Sequence, residues 1–422
     1  MTLTLTEKDR SMLKGDFGPA ARMALSIVVR MAGVVGADAL LDITAAHIDS
    51  TVYIGAAGLE FAERLARLGA KVCVPTTLNV SGLDEFHWQE WAVPAEWARQ
   101  AHRQMLAYQG MGTTPTWTCA PYQLELRPAF GQQIAWGESN AIAFANSVLG
   151  ARTERYPDLF DICCAISGRA PATGLHLAEN RGGQLLFRLS ADVSEKLQYS
   201  DDFYTVLGNL VGKQTLDKIP VIDGLTGRPD EDQLKAFCAA AASSGGVALF
   251  HMVGITPEAP SLEHAFQGTP PVQAIEIGMQ ALRLSRQQLT HGLDDQLDLV
   301  VLGCPHFSLA EFKRLAPLLE GRHTHPGVKF LVTSSRFMTG LARQTGLLQA
   351  LEAFGGQLTV DTCTLASPML PAEIKCLMTN SAKFAYYAPG MLEKNITFGS
   401  LQDCVDSACA GRVIRDGSLW DE

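Results

Sequence analysis

Apolar positions in this chain follow two different rhythms. Over Glu7 to Leu13, Pro19 to Ala32 and Gly58 to Leu68 they return every three or four residues, the spacing of one face of a helix. The VCV that follows the third segment reads as a short strand and hints at a β/α unit. Residues 81 to 135 keep neither rhythm. Gly, Pro and aromatic residues crowd SGLDEFHWQEW, GMGTTPTWTCAPYQ and PAFGQQ, so loops or short strands around a site are expected there. WGESNAIAFANSVLGART then reads as a polar loop entering a helix, with Ser139 or Asn140 capping its first turn.

Between about 160 and 230, short apolar runs alternate with Gly, Pro and Asp, and an internal domain edge is expected near 190 to 230. The last third is more regular. GGVALFHMVG, DLVVLGC, VKFLVTSS, GQLTVDTC and IKCLMTNS are apolar runs that end in small or polar residues. Helical patterns, SLAEFKRLAPLL and SRFMTGLARQTGLLQALEAF, lie between some of them. This alternation predicts an α/β fold with parallel sheets and helix crossovers, possessing several α/β subdomains across residues 1 to 422. No repeat or low-complexity segment is visible.

Composition narrows the chemistry. Of 422 residues, 47% are hydrophobic and 18% charged, enough apolar material for a large core. The net charge of −10 is spread without single-sign blocks, which argues against nucleic acid or an anionic membrane as partner and leaves small-molecule chemistry. MTLTLTEKDR has no leader pattern, and Arg22, Arg30 and Asp38 interrupt the most apolar early stretch. A cytoplasmic protein is expected, where ten Cys read as core residues, metal ligands or catalytic thiols rather than disulfides.

Three of those cysteines fall where ligands gather. Cys304 in VVLGC and Cys363 in LTVDTC sit at the ends of apolar runs, and parallel strands turn those ends toward one crevice. Cys119 lies in the loop-rich TWTCAPYQ. Three such thiolates can hold an iron–sulfur cluster and leave one iron open to substrate. Core packing explains ten cysteines equally simply, and no C-x-x-C pair supports a zinc knuckle or ferredoxin-type run. Cys73, Cys163, Cys164, Cys238, Cys376, Cys404 and Cys409 read as structural.

A longer series of motifs changes this balance. TCAPY (118–122), WGESNAIAFANSVLGART (136–153), HMVGITPEAP (251–260), LGCPH (302–306), VDTC (360–363), NSAKFAYYAPG (380–390) and FGSLQDCVDSA (398–408) together resemble the catalytic large component of the aconitase X family. The resemblance runs from about residue 110 to the end. It implies an aconitase-like α/β fold lacking the small swivelling domain, with Cys119, Cys304 and Cys363 as ligands of an iron–sulfur cluster of unspecified nuclearity. It also implies a dehydratase acting on cis-3-hydroxy-L-proline, or alternatively on mevalonate 5-phosphate. The small domain is expected as a separate subunit, giving a heterodimer; the α-proton base is left open, with a serine on that subunit as one candidate.

Within the matched blocks, Glu138, Ser139, Asn140 and Asn146 are candidates for a substrate-orienting wall, against a reading of Ser139 or Asn140 as a cap and Asn146 as a satisfied helix residue. Lys383 is a candidate for neutralising a carboxylate, against a solvated lysine. His306 is expected either to brace its neighbouring ligand or to protonate the departing hydroxyl. No compact Lys/Arg cluster or phosphate loop is visible, which favours the amino acid. A non-catalytic metal-binding or scaffold subunit is the reading from a different class.

Overall fold

Four small sheets and their crossover helices make up the chain, described here from a computed structural model for residues 3–292 and 295–421. The largest sheet orders its strands Gln357–Val360, Lys329–Ser334, Leu299–Phe307, Cys376–Thr379, Asn395–Phe398, all parallel. Helices cover it on both sides, so its central strand carries an unbroken apolar run, Leu299 to Leu302, with no exposed position. A second parallel sheet orders His251–Met252, Pro220–Asp223, Leu185–Leu189, Gln273–Ile277. A third places Ala46–Ile48 between Thr76–Leu78 and Ala135–Trp136, again parallel. Only the pair Leu40–Asp42 and Arg169–Pro171 is antiparallel among the described strands. The α/β reading with parallel sheets and crossovers is borne out.

Helix ends follow their local chemistry. Ser308 caps Leu309–Leu319 in a reciprocal box with Glu311, and Ser400 does so for Leu401–Ala410 with Asp403. The helices expected near the N-terminus form as Glu7–Lys14, Pro19–Val34 and Ala56–Arg67. Two local expectations fail. VCV is not a strand: its exposed Cys73 precedes Pro75, and the strand is the buried TTL just beyond. Residues 81 to 135 are not all loop, because Ala95–Gly110 is a helix of 16 residues.

The closest helix packing joins Phe203–Thr215 to Glu231–Gly245. Three glycines permit it. A Cβ on Gly208 would stand 2.6 Å from the Phe237 carbonyl oxygen and one on Gly212 2.7 Å from that of Ala241, while one on Gly245 would collide with Gly212. Helix Glu231–Gly245 also packs on Ala382–Leu392, so this contact supports the segment that carries Lys383.

We expect Gly208→Ala to lower stability by about 1–3 kcal/mol through overpacking, seen as a lower urea midpoint. Gly340→Ala, where an added Cβ meets nothing within 4 Å, should leave the midpoint unchanged or raise it. Equal midpoints for the two variants would contradict the packing described.

Candidate active site

Two sheet edges supply the polar groups of the site. In the three-stranded sheet, the residues just past the strands are Asp49, Asn79 and, after Gly137, Glu138. In the five-stranded sheet, the same carboxyl edge carries Cys304, Cys363 and Lys383. Cys304 lies inside Leu299–Phe307, where pairing with the neighbouring strand breaks between Leu302 and Phe307, rather than at the strand's end. Parallel strands point their carboxyl ends one way, so each sheet collects its polar residues on one side. The Ser81 N–H donates to the Asp361 carbonyl at 2.8 Å and stitches the two edges together.

A buried ion pair spans the junction. Lys383 Nζ donates to Glu138 Oε1 at 2.6 Å, with the side chains 12% and 11% exposed. Burial alone would raise the Glu138 carboxyl, but Lys383 and the amides of Asn140 and Asn79 bring it down to about 2 from 4.5. Burial likewise opposes the Lys383 charge, yet Glu138, then Cys304 and Cys119, hold its pKa well above the ordinary value. The carboxyl is depressed by folding, so the stability it contributes is complete above about 4.5 and drains away as pH falls toward 2. Lys383 is thus not the solvated lysine that sequence left open.

Hydrogen bonds then fix the surroundings. Asn140 Nδ2 donates to Glu138 at 2.8 Å and to the Cys119 carbonyl at 3.0 Å, while its Oδ1 accepts the Tyr122 hydroxyl at 2.7 Å. Asn79 Nδ2 donates to Glu138 Oε2 at 3.0 Å and to Asp49 Oδ1. Glu138, not Ser139 or Asn140, caps the helix Ser139–Phe144, accepting the Asn140 N–H; the Ser139 hydroxyl donates to Glu138 at 3.3 Å.

The segments that carry the three candidate cysteines meet at His306, two residues past Cys304, which contacts Cys119 Sγ, Thr118 and Thr362. Cys119 is influenced by Cys304, Cys304 by Cys363, and all three by Lys383 and Glu138. They are half-buried at their surfaces but surrounded by protein, and burial pushes every thiol up, Cys304 to about 12. Such thiols stay protonated until a metal takes the proton's place. Among the described residues, no group of three or more His, Cys, Asp and Glu side chains is arranged to hold a metal ion.

His306 braces the cysteine segments. Its Nε2 lies 3.0 Å from the Thr362 carbonyl and must donate there, so Nδ1 accepts from the Thr118 hydroxyl at 3.1 Å. Its own N–H donates to Cys119 Sγ at 3.3 Å. Thr118 and Thr362 each precede a cysteine, and burial holds the ring neutral, its pKa at about 4. These contacts support the bracing role over that of a proton donor to the departing hydroxyl. Asn146 is elsewhere: its amide is consumed by Thr153, Ala248 and Arg181, making it a satisfied structural residue rather than part of a substrate wall. Sequence reasoning missed Asp49, Asn79, Thr118 and Tyr122. For Asp49 and Asn79 the available signal was a single polar residue directly after a three-residue strand.

Profiles of one family match most of the chain. The aconitase X first domain matches residues 2–179, the second 183–287 and the third 297–410. The cis-3-hydroxy-L-proline dehydratase of Pseudomonas aeruginosa is 47% identical over 415 residues, 98% of this chain and 71% of that protein. The phosphomevalonate dehydratase large subunit of Methanocaldococcus jannaschii is 34% identical over 402 residues, 94% of this chain and 98% of that one. The crystal structure of Thermococcus kodakaraensis aconitase X in its holo-form superposes with a TM-score of 0.86 at 32% identity, covering 96% of this chain and 100% of that one. The enzyme class these relatives define is a hydro-lyase. The chain belongs to the aconitase X family.

Removing one partner of a buried pair strands the other charge. Lys383→Met should therefore cost about 3–5 kcal/mol, and adding Glu138→Gln should recover a substantial part of it. A double-mutant cycle by denaturant unfolding measures this; strictly additive losses would mean the two side chains do not interact.

Proposed function

We propose that this chain is the catalytic large component of an iron–sulfur hydro-lyase that converts cis-3-hydroxy-L-proline to 1-pyrroline-2-carboxylate. The observation that supports the reading is that His306 ties the segments of Cys119, Cys304 and Cys363 together beside the buried Lys383–Glu138 pair. The donor set fits an iron–sulfur group: Cys119, Cys304 and Cys363 are free thiols on segments tied together at this junction, and thiolate sulfur is the ligand such clusters take. When bound, the group supplies a Lewis acid for the departing hydroxyl.

The chain's own residues prepare the substrate. Lys383 keeps ammonium hydrogens free beyond the one that Glu138 takes, and these meet the substrate carboxylate. Charge that develops on the adjacent carbon as its proton leaves is then stabilised in place. Asn140, held by Tyr122, fixes the Glu138 side of the pocket. Loss of the α-proton and the β-hydroxide forms one carbon–carbon double bond and releases one water. The resulting cyclic enamine tautomerises to the imine. The base that takes the α-proton belongs to a small swivelling component, which we propose is a separate subunit. The near-complete span of the phosphomevalonate dehydratase large subunit supports a matching division of labour here.

Mevalonate 5-phosphate is the second substrate reading, raised by the 34% identical relative. Against it, Asp49 and Glu138 stand side by side on the Asn79 amide, and two acids there would repel a phosphate. A cytoplasmic location remains part of the proposal; no helix among the described residues is long and apolar enough to cross a membrane.

Co-expression with the small component and parallel assay on both substrates tests the reading. We expect dehydration of cis-3-hydroxy-L-proline and, relative to it, weak or no turnover of mevalonate 5-phosphate. The reverse preference would replace the substrate, and turnover of neither would overturn both.

A further inference from the structure

One acid at the junction is left unbalanced. Glu138 pairs with Lys383, and Asp361 pairs with Arg336. Asp161 accepts the N–H groups of Asp49 and Ile162 and the Ser50 hydroxyl. Asp49, by contrast, has a single side-chain donor, Asn79, and no Lys, Arg or His among the described residues is in ion-pair contact with it. Burial, followed by Glu138, Asp161 and Asp158, pushes its carboxyl well above the usual range. Gly137 lets it approach this close, since a Cβ there would lie 2.7 Å from that of Asp49.

An independent observation lies on the neighbouring residue. Asn79 is 1% exposed, and its Nδ2 sits between the carboxylates of Asp49 and Glu138. That orientation is forced, because an amide oxygen in the same place would face two acceptors. The consequence is that Oδ1 of Asn79 is buried without any donor. A buried acceptor left unmatched costs free energy unless a ligand satisfies it. A hollow of about 490 Å³ lined by Asp49, Ser50, Asp158 and Ala366 opens beside these groups, and the Ala366 N–H bonds the Cys363 carbonyl at 3.0 Å. Asp49 thus lines this hollow, and the unmatched Asn79 carbonyl sits on the residue that links Asp49 to Glu138 and, through it, to Lys383.

Resting on the dehydratase reading above, we propose that Asp49 and Asn79 bind the ring ammonium of the amino-acid substrate and select it over uncharged-ring and phosphorylated hydroxy acids. A secondary ammonium has two N–H bonds, one for Asp49, which gives its proton to solvent and becomes a carboxylate as the cation arrives, and one for Asn79 Oδ1. Its carboxylate then falls to Lys383, so the zwitterion is matched at both ends. A phosphate in the same space would meet Asp49 and Asp158. Asp49 is a specificity-determining residue in this arrangement, and the hydroxyl chemistry is left to the cysteine side.

The test uses the assembled holoenzyme and two unreactive probes, L-proline and cyclopentanecarboxylate, which differ in the ring ammonium. Calorimetric titration of the wild type should show L-proline bound at least about tenfold more tightly. Asp49→Asn should raise KM for cis-3-hydroxy-L-proline by about tenfold or more, change kcat far less, and erase most of the preference between the probes. Equal affinities in the wild type would overturn the inference without any variant. So would an Asp49→Asn enzyme that keeps both KM and probe preference within about twofold. A wild-type enzyme that turns over no hydroxyproline would instead defeat the functional reading, which the first assay separates.

Discussion

The contact between Lys383 and Glu138 joins residues 245 positions apart and closes the gap between two sheet edges. Taking both charges out of water is costly, and such a pair holds only when the remaining lone pairs and hydrogens are satisfied. Here the carboxylate also receives the amides of Asn79 and Asn140. That surplus of donors keeps Glu138 ionised, and an ionised Glu138 keeps Lys383 charged and in one place. Under the proposed function, a lysine held so firmly is already oriented for the substrate carboxylate, which lowers the cost of ordering the site on binding.

The cysteine side is built by a different device. Three segments distant in sequence are tied by one neutral imidazole, which bonds the residue before Cys119 and the residue before Cys363 from its own position just beyond Cys304. Because burial keeps His306 uncharged, it adds no positive field to compete for the thiolates, and its role is geometric. The two halves are complementary. One offers soft sulfur donors, the other an ordered set of charges, and the fold sets them face to face by ending parallel strands at a shared seam.

Much of this was legible in the chain, for identifiable reasons. In a fully covered parallel sheet, runs such as Leu299 to Leu302 are continuous and apolar, so the last third declared its strands and its two strand-associated cysteines plainly. The three-stranded sheet did not, because strands of three residues or fewer carry too little periodicity; Asp49 and Asn79 at their tips went unnoticed with them. Helix Ala95–Gly110 was obscured by its own buried face. Gln104 sits there wholly enclosed, its amide bonding the carbonyls of Ser50, Thr51 and Val52, and a polar residue on the apolar stripe breaks the pattern. Asn146 misled in the opposite sense, since a buried asparagine spent on backbone groups looks, in sequence, like one spent on a ligand.

The central proposal is that Cys119, Cys304 and Cys363 share an iron–sulfur group. Iron and acid-labile sulfide determined on anaerobically purified protein, together with the visible absorption spectrum, for the wild type and for Cys304→Ser, address it most directly. The account predicts a coloured wild type with iron and sulfide in comparable amounts, and loss or marked depletion of both in a folded Cys304→Ser variant. A folded wild type that is colourless and free of iron and sulfide, or a Cys304→Ser variant that retains its full complement, would contradict it.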